Sequence, residues 1–225
     1  VQMDKDYSDK GLAIIGMLVY HFLSDLYFFG YSVGVSSILQ KIVAGTFILL
    51  VGVSLTLSYS RKPKKWDYYV KRGLMIFAWG VVITVVTKLV LGQSYVRFGI
   101  LHLIGLSVAL GYFFLKFRRL NVLFGSLCFI VYYFIKDISS SLWYWVGFNP
   151  TFGSVDYFPL FPWFGVVLFG MFLGNTLYFG YKRQFEIVTL RVKWLEYLGK
   201  HSLIIYIIHQ PILFGLMYVF SHFYS

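Results

Sequence analysis

Seven apolar stretches, at residues 11–30, 42–59, 73–91, 98–115, 120–135, 158–181 and 198–220, constrain what this chain can fold into. They are continuous rather than alternating, and most approach the ~20 residues that a helix needs to cross a hydrocarbon core of ~30 Å. A membrane barrel strand needs about half that length and alternates between its two faces. Seven helices consume most of the 225 residues and leave short connections. Charged residues make up 13% of the chain and hydrophobic ones 59%, whereas a soluble domain carries about 25% charged residues. The reading is an all-α polytopic membrane helix bundle of about seven transmembrane helices, forming a single integral-membrane domain over residues 1–225. The 120–135 run is the shortest. The segment after it holds Ser139, Ser140, Ser141, Gly147, Asn149, Pro150 and Gly153, a loop composition, with Trp143, Tyr144 and Trp145 suited to a membrane interface.

The chain has 20 Lys and Arg against 9 Asp and Glu, a formal charge of +11. In a soluble protein that balance raises nucleic acid as a partner; here, position accounts for it. With the N-terminus in the cytoplasm, 16 of the 20 cations fall on the cytoplasmic side, including Lys5, Lys10, Arg61, Lys62, Lys64, Lys65, Lys71 and Arg72. Only Lys41, Lys88, Arg97 and Lys136 fall opposite. The positive-inside rule then orients the bundle N-in and C-out, with the lipid bilayer rather than nucleic acid as its charged partner. The first run carries His21 and Asp25 behind an acidic leader, with no small-residue cleavage site, so it reads as a span rather than a cleavable signal. Cys128, the one cysteine, lies in an apolar run and reads as an inert thiol. Small residues cluster in two runs, Gly45, Thr46, Gly52, Ser54 and Thr56 in the second and Gly165, Gly170 and Gly174 in the sixth, where they allow close helix packing.

An ionisable side chain inside a span costs about 2.5–3.5 kcal/mol on insertion scales and marks a candidate functional position. His21, Asp25, His102, Asp156 and His209 qualify. His21 lies about 15 Å along its span at 1.5 Å per residue, near the bilayer middle, and His209 is similarly deep. Asp25 follows His21 by four residues, on the same helix face. A carboxylate beside an imidazole fixes its tautomer and raises its basicity, as general-base chemistry requires, although a polar pair can also simply join helices. Ser202, Tyr206 and His209 form one polar stripe in the last run, followed by Gln210 and by Pro211, which cannot donate to the carbonyl of Ile207. His102 is flanked by Gly99 and Gly105 and suits either a site or a helix–helix hydrogen bond. Asp156 precedes Pro159 and Pro162, where it suits either a site or an N-cap on the sixth helix. His201 and His222 lie near span ends and read as interfacial. No GxxxxGK[ST], HExxH, GxSxG or GxGxxG pattern is present, and no HxxxH or carboxylate-rich spacing supports a metal, so none is expected.

The segment KGLAIIGMLVYHFLSD at 10–25 resembles the opening of the heparan-alpha-glucosaminide N-acetyltransferase catalytic-domain family. Four further blocks agree in order: FILLVGVSL at 47–55, FGILH at 98–102, DYFPLFPWFG at 156–165 and LGKHSLIIYIIHQP at 198–211. The last block is the most specific, and it is more loosely similar to the wider superfamily of transmembrane acyltransferases that modify surface sugars. The family's members are prokaryotic and lysosomal membrane proteins, and this chain is read as a multi-pass protein of a prokaryotic plasma membrane.

The resemblance implies transfer of an acyl group, typically acetyl, from cytoplasmic acyl-CoA to a sugar amine or hydroxyl across the membrane. The expected roles are His21 as general base oriented by Asp25, with His102, Asp156 and His209 lining the acceptor and thioester site. Arg72, Lys10 and Arg61 are expected to hold CoA phosphates, with Ser202, Tyr206 and Gln210 also on the donor side. The family usually has Arg where this chain has Lys10, so a bidentate phosphate contact is not available there. The human relative has more helices, which leaves seven as a minimal bundle or as half of a homo-oligomer. The rival from another class is a small transporter or channel whose buried His and Asp relay protons.

Overall fold

The computed structural model of the protein describes residues 2–31, 37–179, 182–183 and 193–224. Among these, eight α-helices follow in chain order: α1 (Gln2–Phe28), α2 (Ser37–Arg61), α3 (Trp66–Leu91), α4 (Ile100–Phe114), α5 (Asn121–Ile135), α6 (Leu160–Leu177), α7 (Lys193–Lys200) and α8 (Ser202–Tyr224). Each of the seven apolar runs becomes a helix, and α7 is additional. Its Trp194 and Tyr197 are exposed while Leu195 is buried, and it bends by 72° into α8. The chain is an all-α polytopic membrane protein.

The helices differ in reach. By length and composition, Ile38–Arg61, Trp66–Ser94, Ile100–Ile135 and Leu160–Leu177 can each cross a membrane, with a fifth crossing if α7 and α8 count as one bent span. Three of the seven expected helical regions are shorter than a full crossing. Arg118, at φ 41° and ψ −104°, breaks Ile100–Ile135 into α4 and α5 of 15 residues each. At 1.5 Å per residue each is about 22 Å long, short of a ~30 Å core. In α1 the apolar part, Gly11–Tyr27, is a shorter helix interrupted by His21 and Asp25.

The chain, read from sequence as one domain, divides into two compact units, Val1–Phe47 with Glu186–Ser225 and Ile48–Phe185. The boundary falls inside continuous helix α2 rather than in a linker. In the first unit α1 packs on α7 and α8. Gly11 brings α1 against the carbonyl of Leu195, where a Cβ would overlap that oxygen.

In the second unit α3 packs on α4, α5 on α6, and α4 on α6, around a core that includes Ile48, Leu103, Val167, Leu168 and Met171. Three of its helix contacts close on facing glycines: Gly52 with Gly170, Gly73 with Gly105, and Gly125 with Gly165. In lipid no hydrophobic force draws helices together, so backbone-to-backbone van der Waals contact carries much of the association. At one end of this unit the loop before α4 pairs with the loop before α6. The Phe158 N–H donates to the Phe98 carbonyl at 2.9 Å, the Val155 N–H to the Ser94 carbonyl at 3.2 Å, and Phe98 and Tyr157 form a parallel bridge. Asp156 is thereby held over the start of α4. The paired prolines precede regular helix: Phe161 is extended at φ −97°, ψ 133°, and α6 is regular only beyond it.

These contacts predict unequal glycines. A methyl at Gly52 would overlap the Val167 carbonyl, whereas one at Gly153 meets nothing within 4 Å. Gly52→Ala is expected to cost about 1–3 kcal/mol by overpacking, and Gly153→Ala nothing. Thermal midpoints in detergent measure the difference, and equal midpoints would remove close backbone approach as the source of stability.

Candidate functional site

Four polar side chains meet where α1 packs on α8. His21 and Asp25 lie one turn apart on α1 and so share a face, and His209 and Gln210 are adjacent on α8. The His21 and His209 ring centroids are 4.8 Å apart at 59°. Gln210 Nε2 donates to Asp25 Oδ1 at 2.9 Å. The contact of Asp25 with His21 expected from their spacing is therefore not the bond that forms: both residues turn toward α8, and Asp25 finds the amide of Gln210.

His209 Nδ1 lies 2.7 Å from the Tyr206 carbonyl. A carbonyl only accepts, so Nδ1 carries the hydrogen, and in the neutral ring Nε2 is left with its lone pair. The Tyr206 ring stacks on Phe47 with centroids 6.0 Å apart, which holds this part of α8 in place. Asp25 and His209 are 4% and 6% exposed. Three buried atoms of the cluster, Asp25 Oδ2, His209 Nε2 and Gln210 Oε1, have no hydrogen-bond partner among the described residues. Buried polar atoms are paired in the great majority of cases, and each exception asks for an explanation.

The second unit holds His102 and Asp156, and here the polar groups are used. His102, 4% exposed, accepts the Gly99 N–H at Nδ1 over 3.2 Å. Nε2 then carries the hydrogen and faces Thr84 Oγ1 at 3.5 Å. Phe77 meets the ring edge-on at 4.9 Å and Phe98 stacks on it at 5.4 Å. With both nitrogens in hydrogen-bonding range and Phe98 stacked on it, the ring makes the helix–helix contact between α3 and α4. Asp156 Oδ2 accepts the Ile100 N–H at 3.1 Å, so it caps α4 from a distant loop rather than capping α6. Burial pushes its carboxyl up to about 6, against the opposing pull of the Ile100 N–H.

The donor-side residues belong to both units. Arg72 is exposed on α3 and Arg61 is exposed in the last turn of α2. Ser202 opens α8 half-buried, and Tyr206 and Gln210 belong to the α1–α8 cluster. The side chains of Lys10 and His222 lie outside the described residues. His201 sits at the α7–α8 corner, its Nδ1 donating to the Tyr197 carbonyl at 3.0 Å. Among the described residues no group of three His, Cys, Asp or Glu assembles that would hold a metal ion. Sequence reasoning missed Thr84 and Phe77 as partners of His102, and Gln210 as the holder of Asp25. Thr84, a polar residue within the apolar run of α3, was the available signal for its own part; nothing in the sequence marked Phe77.

The sequence matches the family described as heparan-alpha-glucosaminide N-acetyltransferase, catalytic, over residues 8–211. The chain belongs to that family. The matched span runs from before His21 to Pro211 and so includes both polar groups. No curated protein and no solved structure matches the chain. Family membership together with the apolar helices makes it a transmembrane acetyltransferase of this kind.

The Asp156 carboxyl carries a pH prediction. Its folded value, about 6, lies above the ordinary 3.8, so the folded state holds the proton more tightly than the unfolded state. Stability from this group is present below pH ~4 and is lost as pH rises through ~6. Asp156→Asn keeps an oxygen for the Ile100 N–H without titrating. The thermal midpoint in detergent is expected to fall between pH 4 and 6 more steeply in the wild type than in Asp156→Asn, and identical slopes would dismiss the buried carboxyl as the cause.

Proposed function

We propose that the chain moves an acyl group, acetyl in the first instance, from cytoplasmic acyl-CoA to a sugar amine or hydroxyl on the far side of the membrane, with His21 as general base. The α1–α8 cluster carries this reading. It places the His21 imidazole beside an oriented imidazole, His209, in a cluster with an oriented carboxylate, Asp25. Family membership supplies the acetyl-transfer chemistry.

The unused capacity of the cluster further favours an amine acceptor. With Asp25 as a carboxylate, its free Oδ2 and Gln210 Oε1 are both acceptors. An amino group brings two or three N–H donors to such a set, a hydroxyl only one. An amine must lose a proton to attack a thioester, and an imidazole of unperturbed pKa ~6.5 is suited to take it. Arg72 and Arg61, with Lys10, are the cations assigned to the phosphates of the donor on the cytoplasmic side, consistent with the N-in orientation. His102 and Asp156, held at the start of α4 by their bonds to Gly99 and Ile100, remain the residues assigned to the lining of the acceptor and thioester site.

His21→Ala is expected to insert and fold normally, to keep acyl-CoA binding, and to lose transfer by at least about 10²-fold. Asp25→Asn should lose less. The assay is acceptor-dependent release of free CoA thiol from purified protein in detergent. No release with any sugar acceptor, together with solute flux in vesicles, would favour the proton-coupled transporter instead.

A further inference from the structure

We infer that His209 is a proton-relay residue positioned behind His21, its tautomer set by the Tyr206 carbonyl so that Nε2 receives a proton from the His21 ring. The inference rests on the reading of the α1–α8 cluster as the acyl-transfer centre. Three observations carry it. The bond from Nδ1 to the Tyr206 carbonyl leaves Nε2 as the only site of the neutral ring that accepts a proton. That atom is buried and has no partner among the described residues. The His21 ring lies 4.8 Å away, centroid to centroid, so a small rotation brings a nitrogen of one ring into hydrogen-bonding range of the other.

Asp25, the other titratable group of the cluster on α1, has its Oδ1 held by Gln210. The Tyr206 carbonyl thus fixes the ring that receives the proton, and the Asp25–Gln210 bond ties α1 to α8 beside it.

The step balances without any added reagent. The acceptor nitrogen attacks the thioester carbonyl carbon, so a C–N bond forms and the C–S bond breaks. One nitrogen of His21 takes the acceptor's proton while the other gives its own to His209 Nε2. The departing thiolate leaves as CoA thiol with the proton that the pair returns, and both rings end neutral.

The full chain purified in detergent, with ¹⁵N-labelled histidine, tests the first part without turnover. His209 is expected to be neutral with its hydrogen on Nδ1, and a hydrogen on Nε2 would overturn the relay. The second test uses acetyl-CoA and glucosamine with His209→Gln, which keeps polar bulk but has no titrating nitrogen. Turnover should fall by about 10²-fold with the KM for acetyl-CoA unchanged. Rates across H₂O–D₂O mixtures should change from a curved dependence, two protons in flight, to a linear one, a change that a purely structural role for His209 would not produce. Full turnover and an unchanged curve in His209→Gln, with His21→Ala inactive, would overturn the relay and keep the acyl-transfer centre. Full turnover in both variants would overturn the centre itself.

Discussion

Lipid offers no hydrogen bonds, so each polar atom carried into a membrane helix must be paired by the protein or must do something that compensates for its cost. The two groups of buried polar residues resolve this constraint in opposite ways. Around His102 and Asp156 the account closes: His102 uses both ring nitrogens, and Asp156 satisfies the Ile100 N–H that the first turn of α4 leaves open, although Tyr69, Arg97, Ser107 and Asn121 of the same unit each bury a side-chain polar atom with no partner among the described residues. In the first unit it does not, because three acceptor atoms remain unpaired around Asp25, His209 and Gln210. A fully satisfied polar group rigidifies the fold, whereas an unsatisfied one carries a cost that asks for an explanation. That difference, rather than residue type, separates histidines that look equivalent in the sequence.

The satisfied group depends on how closely α3 and α4 approach. Gly73, Phe77, Gly80 and Thr84 recur every three or four residues and so form one face of α3. Gly73 meets Gly105, which sets the spacing of the two helices. Gly80 then leaves room for the imidazole, since a Cβ there would stand 2.9 Å from His102 Nδ1. Phe77 and Thr84 close the edge of the ring and its far nitrogen. A structural histidine thus needs a glycine opposite it, and this face of α3 supplies one.

Much of the fold was legible because the property that decides it, continuous apolarity at helix length, is local in sequence. The seven runs and their helical state follow from it. What was not legible depends on non-local geometry. The break at Arg118 rests on a backbone turn in a stretch with no proline or glycine between Lys116 and Asn121 to announce it. Helix α7 is only eight residues long and carries too little apolar sequence to register as a run. For the site, His21, Asp25 and His209 could be singled out by cost alone, but cost does not name partners. The i, i+4 rule states which residues share a face, not which bond they form, and a neighbouring helix took Asp25 away from His21. The same limit made Asp156 look like a cap for the helix it precedes, when its partner lies 56 residues earlier in the chain.

The choice of Gln210 as the partner of Asp25 has an electrostatic consequence. An Arg or Lys at that position would form a charge-assisted bond and cancel the carboxylate within the pair. An amide orients the carboxylate through one hydrogen bond and leaves its charge uncompensated, as far as Gln210 is concerned. In a low-dielectric interior an uncompensated carboxylate is costly. The cost falls when a cationic group approaches, whether an ammonium on the acceptor or an imidazolium formed beside it at His21 or His209. The amide thus makes the same carboxylate a fixed anchor for the helix pair and an attractor for positive charge arising during the reaction.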